Sequence, residues 1–448
     1  MEGTSNKNSK QKSKLDADNS DQSTYYELSK FLSSKKWTNE TKLKISIFPD
    51  TGRGLHSKVA LEKHDLIIEL PYDCLISYQT IENDKDFVNL FRSDDSVKSG
   101  KAMITFQGLL SLYVCHQKVL GEKSKWSAYM KTLPTSFSIP YFCTKPELYY
   151  LPESLLLKVV EQNDAIKSNF NKLMSIMKEE EQHKFTLDSF KWAYFVCNSR
   201  SVFFNSSCLM PLVDDVNFKH LLLDLPNMAL APFLDLFNHS DDAITSSQLS
   251  QSKKGVELNV EQIKSKEVQL NYQLYTQVAV NKEEQIFINY GTYNNTKLLL
   301  EYGFIIPNNK LDFMEFSLND INNYIKAHLE LKMILIPKHK YKYIQDHELD
   351  KQLYIDTLDG LNHNFQAILA MLLIPRNVYN LNEVAFGDYI HFEEIREYAI
   401  DIVNVKKSDF EKFMQGLTKL ENISESGKVC AAYYKDCIAY IDKVLELL

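Results

Sequence analysis

With 448 residues, 44% of them apolar and 25% charged, the chain is long enough for two or more cores and has the balance of a folded protein rather than a disordered one. Its formal charge of -8 removes the global positive footprint of a nucleic-acid binder and makes basic protein segments the better partners. Seven cysteines without a CxxC pair, the lack of any apolar run of 18 residues and a Lys/Asn/Ser-rich start argue against a disulfide scaffold, structural zinc, membrane spanning and secretion, and leave cytoplasm or nucleus as the expected setting.

In chain order, residues 1–22 carry Lys7, Lys10, Lys12 and Lys14 among Ser, Asn and Asp, and read as a solvated tail. From Tyr25 to Lys36 the spacing predicts a helix with Tyr26, Leu28, Phe31 and Leu32 on its apolar face. Leu43–Phe48, His56–Leu61 and Leu66–Leu70 read as short strands, with a glycine-rich turn from Pro49 to Leu55. That GxGL segment matches neither a phosphate-binding loop nor a dinucleotide fingerprint. It is either a plain turn between strands or a place where the backbone can approach a ligand closely.

Residues 101–210 change to helical patterning. Helices are predicted over Met103–Val119, Ser124–Met130 (presenting Trp126 and Met130), Leu155–Lys178 and Leu187–Phe204. Arg200 falls near the end of the last one, where the helix dipole favours a cation and where a surface or interdomain salt bridge is the plainer role. After a loop over Pro211–Met228 comes an apolar run broken by Asp235, then Asn238-His239-Ser240 and a Ser/Gln/Lys-rich insertion expected to be exposed. Val256–Val260, Tyr272–Val280 and Gln285–Asn289 read as strands. From Leu318 onward the pattern is helical: Ile321–Leu335, His363–Leu373, Glu393–Val405, Asp409–Leu420 and Val429–Leu448. Polar and aromatic groups are concentrated between Leu225 and Phe304 at the ends of apolar runs, where buried Asn, His and Tyr need partners.

At Leu230-Ala231-Pro232-Phe233-Leu234-Asp235-Leu236-Phe237-Asn238-His239-Ser240, with Asn198-Ser199-Arg200 upstream and Tyr290-Gly291 and Glu301-Tyr302-Gly303-Phe304 downstream, the chain resembles SET-domain protein methyltransferases. The order of motifs is similar to the Rubisco large-subunit lysine methyltransferase class and, within it, to the animal SET-domain-containing protein four branch. The resemblance implies an α+β fold: small β-sheets with a threaded segment and a helical insert, followed by an all-α substrate-binding domain. The expected division is a tail over 1–22, a SET domain over 23–310 with its insert at about 95–210, and a helical domain over 318–448.

The implied activity is transfer of a methyl group from S-adenosyl-L-methionine to a lysine of a protein or peptide, releasing S-adenosyl-L-homocysteine, without metal and without direct nucleic-acid binding. Histone tails are candidate substrates because they are accessible and basic. The resemblance assigns cofactor contacts to the backbone at Thr51 and Arg53, to the Arg200 guanidinium, and to Asn238 and His239. It makes Tyr290 the catalytic residue and Asp235, Tyr290 and Tyr302 the substrate channel, with Phe237 beneath the cofactor and Phe304 in the core. Two other readings stay open at this stage, transfer to histidine and a peptide-binding scaffold without turnover. Neither the number of methyl groups nor the oligomeric state is legible.

Overall fold

In the computed structural model, residues 23–92, 103–204, 217–251, 269–328, 337–374, 380–386, 390 and 392–448 are described. The tail over 1–22 and the strand expected at Val256–Val260 lie outside them. The chain divides into two units: Met1–Ser136 with Asp164–Thr292, and Phe137–Asn163 with Tyr293–Leu448.

The first unit is built from short strands. β1 (Leu43–Phe48) and β2 (Gly52–Ser57) form a hairpin in which Phe48 faces Gly52, so only Pro49, Asp50 and Thr51 make the loop. A three-residue hairpin loop needs a left-handed residue at its end, and Gly52 supplies it with φ of 69°. The glycines therefore belong to strand β2 itself, where the sequence reading had a turn as far as Leu55.

β2 continues into a four-stranded sheet in the order β1-β2-β9-β6, where β9 is Gln285–Ile288 and β6 is Asn238–His239. β2 and β9 are antiparallel, with Leu55 opposite Ile286, whereas β6 and β9 are parallel, with Asn238 opposite Phe287 and His239 opposite Ile288. A two-residue strand is thus fixed by a neighbour almost fifty residues away.

A second sheet runs β3-β8-β7, from β3 (Leu66–Pro71), β8 (Leu270–Thr276) and β7 (Thr245–Gln251), all antiparallel. Central β8 is buried along nearly its whole length, as a strand covered on both sides must be. The sequence reading took this Ser/Gln stretch for an exposed insertion; Ser246, Ser247 and Gln248 are indeed exposed, but the segment is the paired strand β7. Its pairing comes from the ladder and from polar cross-strand contacts such as Gln248 Nε2 to Gln273 Oε1 at 3.0 Å, so no apolar alternation announces it. The helices of this unit include 23–34, Phe106–Leu120, Ser127–Met130 and Leu187–Arg200. The last helix stops at Arg200, and β4 (Ser201–Phe203) follows it directly, pairing with β5 (Met228–Leu230).

The second unit is mainly helical around one apolar core that includes Leu299, Ile321, Phe365, Ile402, Phe410, Tyr434 and Ile441. It also holds a small antiparallel sheet of β10 (Met314–Phe316), β11 (Leu353–Asp356) and β12 (Gly360–Leu361). The two helices expected at 393–405 and 409–420 are one, Phe392–Thr418. The Lys406-Lys407-Ser408 interruption contains no helix breaker, and both lysines find acidic partners, Asp320 and Asp442. The architecture is mixed α+β, with small sheets and a helical C-terminal stretch.

Candidate functional site

Parallel pairing of β6 with β9 sets Asn238 and His239 beside the end of β9, just ahead of Tyr290. The backbone N–H of Tyr290 donates to His239 Nδ1 at 3.1 Å, and the two rings stack with centroids 5.0 Å apart and planes at 24°. An acceptor Nδ1 places the ring proton on Nε2, which lies 3.1 Å from Asp241 Oδ1. Burial lowers the His239 pKa against the opposing pull of Asp241, so the imidazole is neutral at pH 7. The Tyr290 hydroxyl donates to the Phe237 carbonyl at 2.5 Å. Burial pushes that phenol well above its ordinary value, with Arg200 acting the other way, and it stays protonated throughout the neutral range.

On the cofactor side expected from the sequence, Asn238 Nδ2 donates to the Arg53 carbonyl at 2.9 Å. Thr51 Oγ1 and the Gln285 side-chain amide lie within hydrogen-bonding distance, at 2.9 Å for Gln285 Nε2. Between them Gly54 has no side chain for a reason: a Cβ there would stand 2.6 Å from Gln285 Nε2 and 2.8 Å from Asn238 Nδ2. Thr51, Arg53, Gly54, Asn238 and Gln285 thus form one cradle, drawn from three strands and the hairpin loop.

The third part is a buried charge cluster. Arg200, the last residue of its helix, donates from Nη1 to the Asp235 carbonyl at 3.0 Å and lies 3.3 Å from Asp235 Oδ2. The Tyr129 hydroxyl donates to the same Oδ2 at 2.9 Å. Asp235 Oδ1 is buried and, among the described residues, has no hydrogen-bond partner. Burial raises the Asp235 carboxyl above its ordinary value against the pull of Arg200 and Tyr129. For Arg200, burial opposes the charge, but Asp235, Tyr129 and Tyr290 together overcome it and hold the guanidinium above its ordinary value.

The turn that presents Asp235 is strained. Phe233 has φ of 75° and ψ of -43° immediately before the short turn Leu234–Leu236. A bulky residue in that region costs ~1–3 kcal/mol and persists only where its surroundings hold it. Trp37, its ring 4.9 Å from that of Phe233, is one such support.

Of the residues expected from the sequence, Thr51, Arg53, Arg200, Asp235, Asn238, His239 and Tyr290 all lie in the first unit, where the contacts above gather them into three groups: Thr51, Arg53 and Asn238; His239 and Tyr290; Arg200 and Asp235. Tyr302 ends the helix Asn295–Tyr302 in the second unit, with Tyr293 and Phe304 at 6.0 and 6.1 Å from its ring. Phe237 is fully buried. The sequence reading missed Tyr129 and Gln285. For the first there was a signal, because Trp126 and Tyr129 share a face at i, i+3 spacing and both are buried, whereas Met130 is only half-buried. For Gln285 there was none. Among the described residues no group of three or more His, Cys, Asp or Glu is arranged to hold a metal ion.

No protein-family model matches the chain. The chain is 24% identical over 419 residues to SET domain-containing protein 4 of Artemia parthenogenetica, covering 93% of this chain and 95% of that one. It is 28% identical over 335 residues to SET domain-containing protein 4 of Mus musculus, covering 71% and 67%. Among solved structures it superposes on the SET domain of LSMT bound to lysine and AdoHcy with a TM-score of 0.57 at 16% identity, over 95% of this chain and 91% of that one. The fold is therefore that of the SET-domain proteins. Within that class the chain is related, at low identity, to proteins of the LSMT and SET domain-containing protein 4 type.

Proposed function

We propose that the protein is an S-adenosyl-L-methionine-dependent protein-lysine N-methyltransferase. The observation that carries the reading is Tyr290, held at both ends by His239 and the Phe237 carbonyl and set in one unit with the Arg200–Asp235 pair and the Gly54 cradle. Support comes also from the LSMT structure of the same fold, which is bound to lysine and AdoHcy.

The residues fit the cofactor. Arg200 and the uncommitted Asp235 Oδ1 offer charges of both signs to a group that carries a carboxylate and an amine. Thr51, Arg53, Asn238 and His239 would hold it, with Arg200. When bound, S-adenosyl-L-methionine supplies a methyl carbon on a cationic sulfur, which an uncharged amine attacks without a covalent enzyme intermediate.

What the chain itself contributes is placement and dryness. A free lysine has a pKa of about 10.4, so its amine must lose a proton to solvent before it reacts, and an apolar channel favours the neutral form. The buried Tyr290 phenol keeps its own proton and its fixed orientation, and it positions rather than abstracts. His239 serves as a neutral brace for the Tyr290 backbone, not as a base.

Histone and nonhistone lysines are both candidate acceptors. Incubation with methyl-tritiated S-adenosyl-L-methionine, a native lysate and separated histones, followed by mass-spectrometric localisation, should place label on lysine. Label confined to histidine would replace this reading with histidine methylation. Peptide binding with no labelled product would leave a scaffold.

A further inference from the structure

The packing of the 23–34 helix ties it to Arg53 on one side and to the segment that carries Tyr129 on the other. The sequence pattern put Tyr26 on its buried face, yet Tyr26 is 72% exposed and Tyr25 is 8% exposed. Tyr25 is turned to Arg53: the guanidinium carbon stands 5.2 Å from the centroid of its ring, within cation–π range. The carbonyl of that same Arg53 accepts the Asn238 side chain. The Arg53 residue is therefore held at two points, by Asn238 on its backbone and by Tyr25 on its side chain. The Arg53 charge in turn helps to offset the burial of Asp235.

Further along, Phe31 meets Trp126 edge-on at 5.6 Å, Lys35 Nζ lies 5.5 Å from both rings, and Glu27 pairs with Lys131 at 3.1 Å. Trp126 leads into the Ser127–Met130 helix, which carries the Tyr129 hydroxyl to Asp235. One helix thus braces the hairpin that forms the cradle and the short helix that fixes the carboxylate.

We propose that Tyr25 is a positioning residue of the methyl-donor site, acting through Arg53, and that the 23–34 helix is a working part of that site rather than an outer support. The inference rests on the function proposed above. A flat ring over the guanidinium fixes the Arg53 side chain and so limits the freedom of the peptide that presents its carbonyl to Asn238. Removing the ring while keeping an apolar side chain loosens the cradle and leaves the helix packed through Leu28, Phe31 and Leu32.

The test measures S-adenosyl-L-homocysteine binding by calorimetry, together with melting of the ligand-free protein, for the full chain and three variants. Tyr25→Leu should raise the Kd about fivefold, Tyr25→Phe should stay within about twofold, and Tyr26→Leu should match the wild type. In turnover, Tyr25→Leu should raise KM for S-adenosyl-L-methionine more than it lowers kcat.

Wild-type affinity in Tyr25→Leu, or an equal loss in Tyr25→Phe, would overturn the inference and leave the proposed function standing. Absence of binding by the wild type would overturn both. If Tyr25→Leu melts more than about 5 °C lower, Arg53→Met, which keeps the helix and removes the cation, replaces it: the same weakening of binding is expected, and unchanged binding would overturn the inference.

Discussion

Tyr290 and His239 are joined twice, by the Tyr290 amide on His239 Nδ1 at 3.1 Å and by stacking of the two rings. The arrangement needs the parallel pairing of β6 with β9, so the catalytic tyrosine of the proposed reaction is oriented by a strand of only two residues. With the hydroxyl donated to the Phe237 carbonyl, the side chain has little rotational freedom left. Tyr290→Phe removes that bond and leaves the stacked ring. Methyl transfer should fall ~100-fold, as for loss of one preorganised polar group in other active sites. S-adenosyl-L-homocysteine binding should change by less than about fivefold, because a single net hydrogen bond inside the fold is worth ~1 kcal/mol and the cradle is untouched. Single-turnover labelling and calorimetry on the same preparation check both.

A methyl group at position 54 tests the cradle from the other side. The Cβ of Gly54→Ala would press on the amide ends of Gln285 and Asn238, and those ends can move only by releasing Thr51 and the Arg53 carbonyl. Cofactor affinity should drop ~10-fold, the equivalent of one lost hydrogen bond at ~1.4 kcal/mol. Gly52→Ala is the contrast: nothing lies within 4 Å of its Cβ, but φ of 69° is unfavourable for alanine. It should cost ~1 kcal/mol of hairpin stability and weaken binding less. Melting curves and titrations of the pair separate strain from obstruction; equal affinity loss in both would refute the cradle.

The contrast between legible and hidden parts follows from what each residue depends on. Arg200 at a helix end, the apolar run before Asn238 and the alternation of β8 are local, and the sequence pattern carries them. Helix Glu425–Leu447 is equally plain from its stripe. β7 is hidden because TSSQLSQ has no apolar alternation and becomes a strand only when β8 offers its edge. Which of two adjacent tyrosines, 25 or 26, turns inward depends on Arg53, a residue on another element, and the helical period alone picked the wrong one. The strain at Phe233 has no sequence sign either, since nothing about Pro232-Phe233-Leu234 requires a positive φ. Roles of individual site residues came from motif resemblance; Tyr129 carried only its i, i+3 spacing from Trp126 as a sign, and Gln285 carried none.

Within the second unit, Glu147 gives a pH dependence of known sign. It is fully buried and accepts from the Thr144 amide at 2.6 Å, the Ser424 amide at 2.6 Å and the Ser424 hydroxyl at 2.8 Å. Burial opposes its charge, but these donors overcome the opposition and hold the carboxyl below its ordinary value. The unfolded chain therefore binds the proton more readily. Stability from ionised Glu147 is complete above the unfolded pKa of about 4.3 and disappears as pH falls through the lower folded value. Glu147→Gln, which turns an amide toward these donors, should cost ~1–3 kcal/mol at pH 7. The gap from wild type should close as pH falls below about 4.3 and through the lower folded value. Denaturant unfolding at a series of pH values reads this directly; a gap that widens on acidification would contradict the assignment.

Gly303 closes the helix that carries Tyr302. It adopts φ of 78° and ψ of 30°, and its N–H returns to the Leu298 carbonyl at 3.0 Å, an end that glycine favours because other residues resist the left-handed conformation. Space is equally restricted. A Cβ would stand 2.7 Å from Ser138 Oγ, 3.0 Å from the Ser138 carbonyl carbon and 3.1 Å from Ile139 Cγ2, while Ser138 Oγ donates to the Gly303 carbonyl at 2.8 Å. The hydroxyl could rotate away, but the Ser138 backbone could not. Gly303→Ala should therefore destabilise the second unit by ~2–3 kcal/mol, more than the ~1 kcal/mol of backbone strain alone. Adding Ser138→Gly should recover only the part due to the hydroxyl, ~1 kcal/mol, because the carbonyl carbon remains in place. A double-mutant cycle followed by circular dichroism measures the two parts, and full recovery in the double variant would show that steric contact with backbone contributes nothing.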